Sequence, residues 1–332
     1  MANETLIITQ DEIKQALDLN DYISIIEQTH ACHAKGQVYT PDLLHADVHQ
    51  GEFHLKTGGL IYPDGEYYGV KINGGFLNNT RNYQLPNILG IIYICDAKNG
   101  YPLAVMDSVT ISKLRTGAAS AVAAKYLAPQ QPIQLGVFGY GSQAEIQAKA
   151  ISKVRQLEHI RISGRNMEKA TAFAAQLQKE FDIPVTCHSL EETARSSNLI
   201  ITATPARGYY LKKEWINPGT FIAAVGADSP GKQELQPELV ASATIVADIK
   251  SQVCRVGESQ HALKQGLITP ENIYAELGEI VTGQKALPST NGITIYDSTG
   301  TALQDISIGV TIYKKLKQTE CTKIKLFKGL SE

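Results

Sequence analysis

The sequence predicts an α/β protein of two domains, on three observations. First, Leu135-Gly136-Val137-Phe138-Gly139-Tyr140-Gly141-Ser142-Gln143-Ala144 reads as a buried strand that turns through glycines into a helix. Second, short apolar runs recur at 185–188, 198–204, 220–225, 244–248 and 293–297, as parallel strands do when helices cover both faces of a sheet. Third, a chain of 332 residues exceeds the usual size of a single domain.

The elements follow in order. Thr9-Gln10-Asp11-Glu12 is a capping box that opens a short helix. A second helix follows Asn20, with Tyr22, Ile25, Ile26 and Thr29 along one face and Gly36 as its stop. The period then changes to two. Phe53 and Leu55 alternate with His54 and Lys56, so a strand here puts the two polar groups on one face. In the run 67–73, Tyr68, Val70 and Ile72 share one face and Lys71 takes the other. Runs at 88–96 and 102–107 flank the turn pair Asn99-Gly100 and predict a hairpin. This first region therefore reads as α+β, built on an antiparallel or mixed sheet. From Thr110 to Leu127 the pattern is helical and rich in small residues, with Arg115 at its start. A solvated charge and an anion-facing group are comparable readings of that position.

The glycine turn carries the most specific chemistry. In the pattern G-x-G-x-x-G/A the first glycine makes the tight turn, the second admits a pyrophosphate to the backbone, and the last small residue lets helix and strand pack closely. Gly139, Gly141 and Ala144 fill those places. Ser142 and Gln143 open the following helix, whose free N–H groups and positive dipole end face phosphates. The next strand ends in Ser163-Gly164-Arg165, with no acid until Glu168. A carboxylate there would hold the ribose hydroxyls of NAD, whereas an arginine accommodates the 2′-phosphate of NADP. The expected cofactor is therefore NADP(H), with Gly164 and Arg165 beside it and NAD(H) as the alternative. Ligands of parallel sheets bind at the carboxyl ends of the strands. That rule selects Thr202, Thr204, Val225 with the loop to Asp228, and Asp297-Ser298-Thr299-Gly300. On residues alone, Asp228 beside Ser229, Pro230 and Gly231 reads as a cap or turn former.

Composition narrows the function classes. A net charge of −2 argues for neither nucleic acid nor an anionic membrane surface. The longest apolar run, 88–95, is too short to cross a bilayer. Five cysteines are scattered without C-x-x-C spacing, and the N-terminal residues show no basic, apolar leader. Reduced thiols in a cytoplasmic protein are expected. His45, His49 and His54 lie close in sequence, and His30 and His33 one helical turn apart, but no Asp, Glu or Cys stands at matching ligand spacing. No metal is expected.

Several motifs occur together in one order: Lys71 in Gly-x-Lys-x-Asn, Arg115-Thr116-Gly117-Ala118-Ala119-Ser120, the glycine turn, Asp228-Ser229-Pro230-Gly231-Lys232, Ala275-Glu276-Leu277-Gly278-Glu279 and Asp297-Ser298-Thr299-Gly300. In this the chain resembles the ornithine cyclodeaminase/mu-crystallin family over nearly its whole length. The resemblance implies a nicotinamide-dependent oxidoreductase that acts at the α-carbon of a small amino acid or its imine. It implies a Rossmann NAD(P)-binding domain at 130–308 and a substrate-binding and dimerisation domain at 1–129, joined by a C-terminal helix at 309–332, in a homodimer. It assigns the substrate and its carboxylate to Lys71 and Arg115, acid/base work to Asp228, and places by nicotinamide and substrate to Ser298 and Thr299. Arg115 and Thr116 are expected at the cofactor too.

One departure is informative. Family members of the ornithine cyclodeaminase type carry a substrate-binding arginine shortly after a proline near residue forty, whereas this chain reads Thr40-Pro41-Asp42-Leu43-Leu44. His54 and Lys56 are the expected replacements, with an ordinary exposed strand face as an equal reading. The first alternative to an imino acid reductase is a cyclodeaminase that recycles bound NAD, against which Arg165 and Leu43 speak. The second is a mu-crystallin-like NADPH-binding protein, against which the retention of Lys71, Arg115 and Asp228 speaks.

Overall fold

The computed structural model describes residues 4–327. The chain divides into two compact units, one made of the residues up to Arg115 and from Thr301 onward, the other of Thr116–Gly300. These divisions differ from the boundaries at 129/130 and 308/309 read from the sequence. The reason is local packing. Helix Val109–Leu127 is continuous, but beyond Arg115 its small residues belong to the second unit: a Cβ on Gly117 would lie 3.1 Å from Ile146. The end of that helix is held by Arg155, whose Nε donates to the Ala124 carbonyl (3.1 Å) and whose Nη2 donates to those of Lys125 (3.0 Å) and Ala128 (3.1 Å).

Among the described residues the first unit carries a seven-stranded mixed sheet in the order Thr322–Ile324, Thr5–Ile8, Pro102–Asp107, Ile88–Asp96, Gly65–Gly75, Gly51–Tyr62 and Val38–Val48. The expected hairpin of 88–96 and 102–107 is present, antiparallel, with Gly100 at φ 76° in its turn. The first strand joins it in parallel. The expected capping box at Thr9 and the helix stop at Gly36, φ 69°, also appear.

The C-terminal helix is corrected from 309–332 to Ala302–Leu316, followed by the strand Thr322–Ile324; residues 328–332 of the expected helix lie outside the described residues. Thr301 starts the helix early, because its side chain caps the Leu303 N–H. Gly309 lies mid-helix rather than at its start. A Cβ there would come within 2.6 Å of Ile94, so the missing side chain lets the helix backbone press onto the sheet. Leu303, Ile306, Ile308, Val310 and Ile312 are buried. At about 1.5–3 kcal/mol for each such side chain, this burial is on the order of 10 kcal/mol.

Strand alternation gives the sheet two unlike faces. Lys71, Lys56 and Ile92 share the face that receives this helix, since Lys56 and Ile92 flank Lys71 in register. The opposite face exposes Leu44, Val48, Ile61, Tyr68, Leu89 and Ile91.

The second unit is a parallel eight-stranded sheet in the order Ile273–Glu276, Thr244–Ala247, Thr294–Asp297, Phe221–Ala224, Leu199–Thr202, Ile133–Phe138, Leu157–Ser163 and Val185–Cys187. The strand order reverses beside Ile133–Phe138, the strand that leads into the glycine turn, which is where a doubly wound sheet opens a crevice. The expected strands at 185, 199, 221, 244 and 294 are all present. Strand Ile273–Glu276 at the sheet edge and the short ribbon of Arg207–Leu211 with Gln233–Leu235 had no strong alternation to announce them. No helix among the described residues is long and apolar enough to cross a membrane.

Candidate active site

In the first unit, Lys71 and Arg115 converge on an acid from the C-terminal helix. Lys71 Nζ donates to Asp305 Oδ2 at 2.6 Å and to Ser112 Oγ at 3.3 Å. Arg115 Nε donates to Asp305 Oδ1 at 3.1 Å, and its Nη1 to Gln304 Oε1 at 3.1 Å. Gln304 continues inward to His30, Nε2 to Nε2 at 3.3 Å. Asp305 is fully buried, Lys71 is 3% exposed, and Lys56, directly across from Lys71, is 5% exposed. Two cations thus share one carboxylate in a water-poor setting, and a buried ion set persists only when so paired.

Burial sets the protonation chemistry. It brings the Lys71 ammonium from 10.5 down to about 7, with Arg115 and Lys56 pushing the same way and Asp305 opposing them. For Asp305, burial pushes the carboxyl up, but Arg115, Lys71 and Lys56 outweigh it and hold the group below the usual carboxylate range. Burial also lowers His30 to about 3, so this imidazole is neutral at ordinary pH.

Asp305 is not among the residues that the sequence motifs single out. Its signal in the sequence is an acid set among Leu303, Ile306, Ile308 and Val310, since an acid on such a segment is seldom buried without a cationic partner.

In the second unit the glycine turn has the geometry its pattern demands. Gly139 has φ +126°, and a Cβ there would come within 2.9 Å of the Ala203 carbonyl oxygen. The space a Cβ on Gly141 would occupy is open, which leaves the backbone approachable, and Ala144 is fully buried between helix and strand. Helix Ser142–Ser152 starts at this point, and Gln143 Oε1 is a buried acceptor with no hydrogen-bond partner among the described residues. A cavity of about 660 Å³ opens beside the turn, lined by Gly139, Tyr140, Gly164, Arg165, Thr204 and Arg207 among others. Its size suits a cofactor pocket, and its glycines, helix N-terminus and arginines fit the phosphates and ribose of a dinucleotide.

The strand ends are held by buried acids. Glu234 accepts from Thr204 N and Oγ1 and from Tyr210 Oη, each at 2.7 Å, and from Gly226 N at 3.0 Å. It therefore ties the loop after Thr202 to the loop after Val225. Burial raises its carboxyl despite these donors. Asp248 accepts from Ser298 Oγ at 3.1 Å and from Gly300 N at 2.7 Å, while Thr299 Oγ1 donates to Gln252 at 3.3 Å. Asp228 lies in the loop after Val225 and accepts from Lys232 Nζ at 2.6 Å.

The residues singled out in the sequence thus fall into two groups. Lys71, Lys56 and Arg115 meet in the first unit, and the cofactor-type residues from Thr116 to Thr299, with Asp228, lie in the second. His54 shares the Lys56 face, but its ring turns to Glu52, 3.1 Å away. Here one expectation is corrected: the histidines do have carboxylate neighbours, because the hairpin register brings Glu52 to both His54 and His45.

Comparison with known proteins bears on family and fold. The model of the ornithine cyclodeaminase/mu-crystallin family matches residues 3–320. An archaeal alanine dehydrogenase dimer with bound NAD superposes with TM-score 0.91 at 32% identity, covering 98% of this chain and all of that one. The Δ1-pyrroline-2-carboxylate reductase of Thermococcus litoralis, in complex with NADH and L-proline, gives 0.87 at 31%, covering 94% and 97%. The iminosuccinate reductase of Paracoccus denitrificans with NAD+ gives 0.86 at 29%, covering 95% and 97%.

Proposed function

Because this chain belongs to the ornithine cyclodeaminase/mu-crystallin family, we propose that it is an NADP(H)-dependent imino acid reductase or amino acid dehydrogenase. Oxidoreduction at the C–N bond of an amino or imino acid is the activity for which the three relatives above are named. The observation that carries the finer reading is the buried set of Lys71, Arg115 and Asp305, in a chain that also has a dinucleotide cradle.

The nicotinamide, when bound, supplies or accepts the hydride at the substrate α-carbon. Arg115 holds the substrate carboxylate, to which its planar fork is matched, and Lys56 adds a second cation on the same face. Lys71 Nζ holds the proton that the substrate nitrogen gains on reduction and takes it back on oxidation, a role that a group titrating near 7 fills at ordinary pH. Asp228 serves as acid/base toward the substrate nitrogen or a water, and Lys232 Nζ donates to its carboxylate at 2.6 Å. Burial of the cluster keeps water from competing for these charges. Gly139, Gly141, Ser142 and Gln143 cradle the pyrophosphate, Thr202, Thr204 and Val225 line the strand ends, and Ser298 and Thr299 are assigned to the nicotinamide side.

The NADP preference rests on Gly164-Arg165, where no acid replaces the arginine, and on Arg207 in the same cavity. The test is loss of reduced-nicotinamide absorbance from NADPH and NADH, with pyruvate or glyoxylate plus amines, pyrroline-2-carboxylate, piperideine-2-carboxylate and iminosuccinate. NADPH consumption with one of these is expected, and Arg165→Asp shifts the preference toward NADH. Ammonia release from a diamino acid without net consumption would replace this reading with a cyclodeaminase, and an unchanged preference in Arg165→Asp would remove the cofactor assignment.

Homodimerisation is assigned to the exposed sheet face of Leu44, Val48, Ile61, Tyr68, Leu89 and Ile91, since an apolar surface this continuous marks an association site. Light scattering is expected to give twice the chain mass of 36.1 kDa, and charges introduced at Leu44 and Ile91 to lower it. A monomer in the unaltered protein would refute the assignment.

A further inference from the structure

A second constellation, outside the residues given a role in the proposed reaction, lies toward the tip of the hairpin formed by strands Val38–Val48 and Gly51–Tyr62. His45 stands directly opposite His54, and Asp47 directly opposite Glu52. The period of two along each strand puts all four on one face. The two rings pack edge to face, with centroids 4.6 Å apart and planes at 80°. Glu52 lies between them, 3.1 Å from His54 Nε2 and 3.6 Å from His45 Nε2, and Asp47 approaches His45 Nε2 at 3.1 Å. One donor atom each from His45, Glu52 and His54 lies within 4.8 Å of the other two.

We propose that His45, Glu52 and His54 bind a divalent transition-metal ion of the zinc class, which staples the outer hairpin of the sheet. Donors at about 2.1 Å in tetrahedral geometry stand about 3.4 Å apart. Side-chain rotations of about 1 Å therefore close the set without moving the strands. Two imidazoles and a carboxylate suit Zn²⁺ and its Co²⁺ or Ni²⁺ surrogates. They do not suit Mg²⁺ or Ca²⁺, which call for six or more oxygen ligands. Asp47, more exposed than the others, supplies the fourth ligand or yields that place to water. Among the described residues, strand Val38–Val48 is the last strand of its sheet and has a partner on one side only. A metal bridge from His45 to His54 adds a cross-strand tie where hydrogen bonding is one-sided.

The test uses the full chain, stripped with EDTA and titrated with Co²⁺ and Zn²⁺. One Co²⁺ per chain is expected, with the visible d–d bands of four- or five-coordination, displaced by Zn²⁺, together with a higher thermal unfolding midpoint in Zn²⁺. His45→Asn and His54→Gln each weaken binding at least about 100-fold, beyond the 10–100-fold typical of losing an outer-shell partner, and Glu52→Gln weakens it less. A second measurement needs no variant: Zn²⁺ should protect His45 and His54, and not His49 or His261, from diethylpyrocarbonate, as mapped by mass spectrometry. Binding that survives in His45→Asn and His54→Gln, protection at other histidines, or no stoichiometric binding would each overturn the proposal.

Discussion

Replacing Lys71 by Ala is expected to lower turnover by about 100- to 10,000-fold, the usual worth of a positioned acid–base group, while dinucleotide affinity stays close to that of the parent. The reasoning is that Nζ, 2.6 Å from Asp305, is the proton carrier in the buried set, whereas the cradle belongs to the other unit. The pH profile supplies the sign. With its pKa brought to about 7, Lys71 is charged below that pH and neutral above it. Reduction, which consumes the proton, should run on a plateau in acid and fall tenfold per pH unit above about 7. Oxidation, which needs the neutral amine, should rise through the same pH and level off above it. Lys71→Arg keeps the charge but cannot release the proton, so it should abolish the inflection in both directions. Steady-state rates across pH 5–9 decide the matter. Turnover in Lys71→Ala equal to the parent's would end the assignment.

Asp305→Ala is expected to cost about 3–5 kcal/mol of stability, as removal of one partner from a buried ion pair does. Lys71 and Arg115 then remain without the carboxylate that both address. The cost should appear as a lower urea midpoint of the unit that contains the C-terminal helix. Asp305→Asn keeps the shape and removes the charge, and so isolates the electrostatic part. Asp305 is the group that holds the Lys71 pKa up against burial. In Asp305→Asn the inflection of the reductive profile should therefore move below 7, a shift that a purely structural role would not produce. An unmoved inflection would assign Asp305 to packing alone.

The C-terminal helix shows where sequence reading stops. Its apolar period is plain, yet its start depends on Thr301 capping Leu303 and on Gly309 lying against Ile94. Neither is announced by composition. Lys71 illustrates the same limit. Alternation separates it from Tyr68, Val70 and Ile72, and on a single strand an apolar trio suggests the buried side. The structure buries the lysine and exposes Tyr68, because the helix Ala302–Leu316 covers the polar side with its own acid. The metal-ligand question turned on register: Glu52 is two residues from His54, but only the pairing of His45 with His54 makes the three residues neighbours.

What the sequence determined by itself is what local rules govern. These are the parallel sheet with its glycine turn at Gly139 and Gly141, the capping box at Thr9, the hairpin at Asn99-Gly100 and the residue types at the strand ends. Each depends on backbone conformation or on a short-range period, so a few consecutive residues suffice. What only the tertiary structure decided is which side chains share a charge. Asp305 meets Lys71 from 234 residues away and Arg115 from 190, and Glu234 joins two separate loops. Such pairings follow from how elements pack, and burial then fixes their protonation by removing the water that would have screened them.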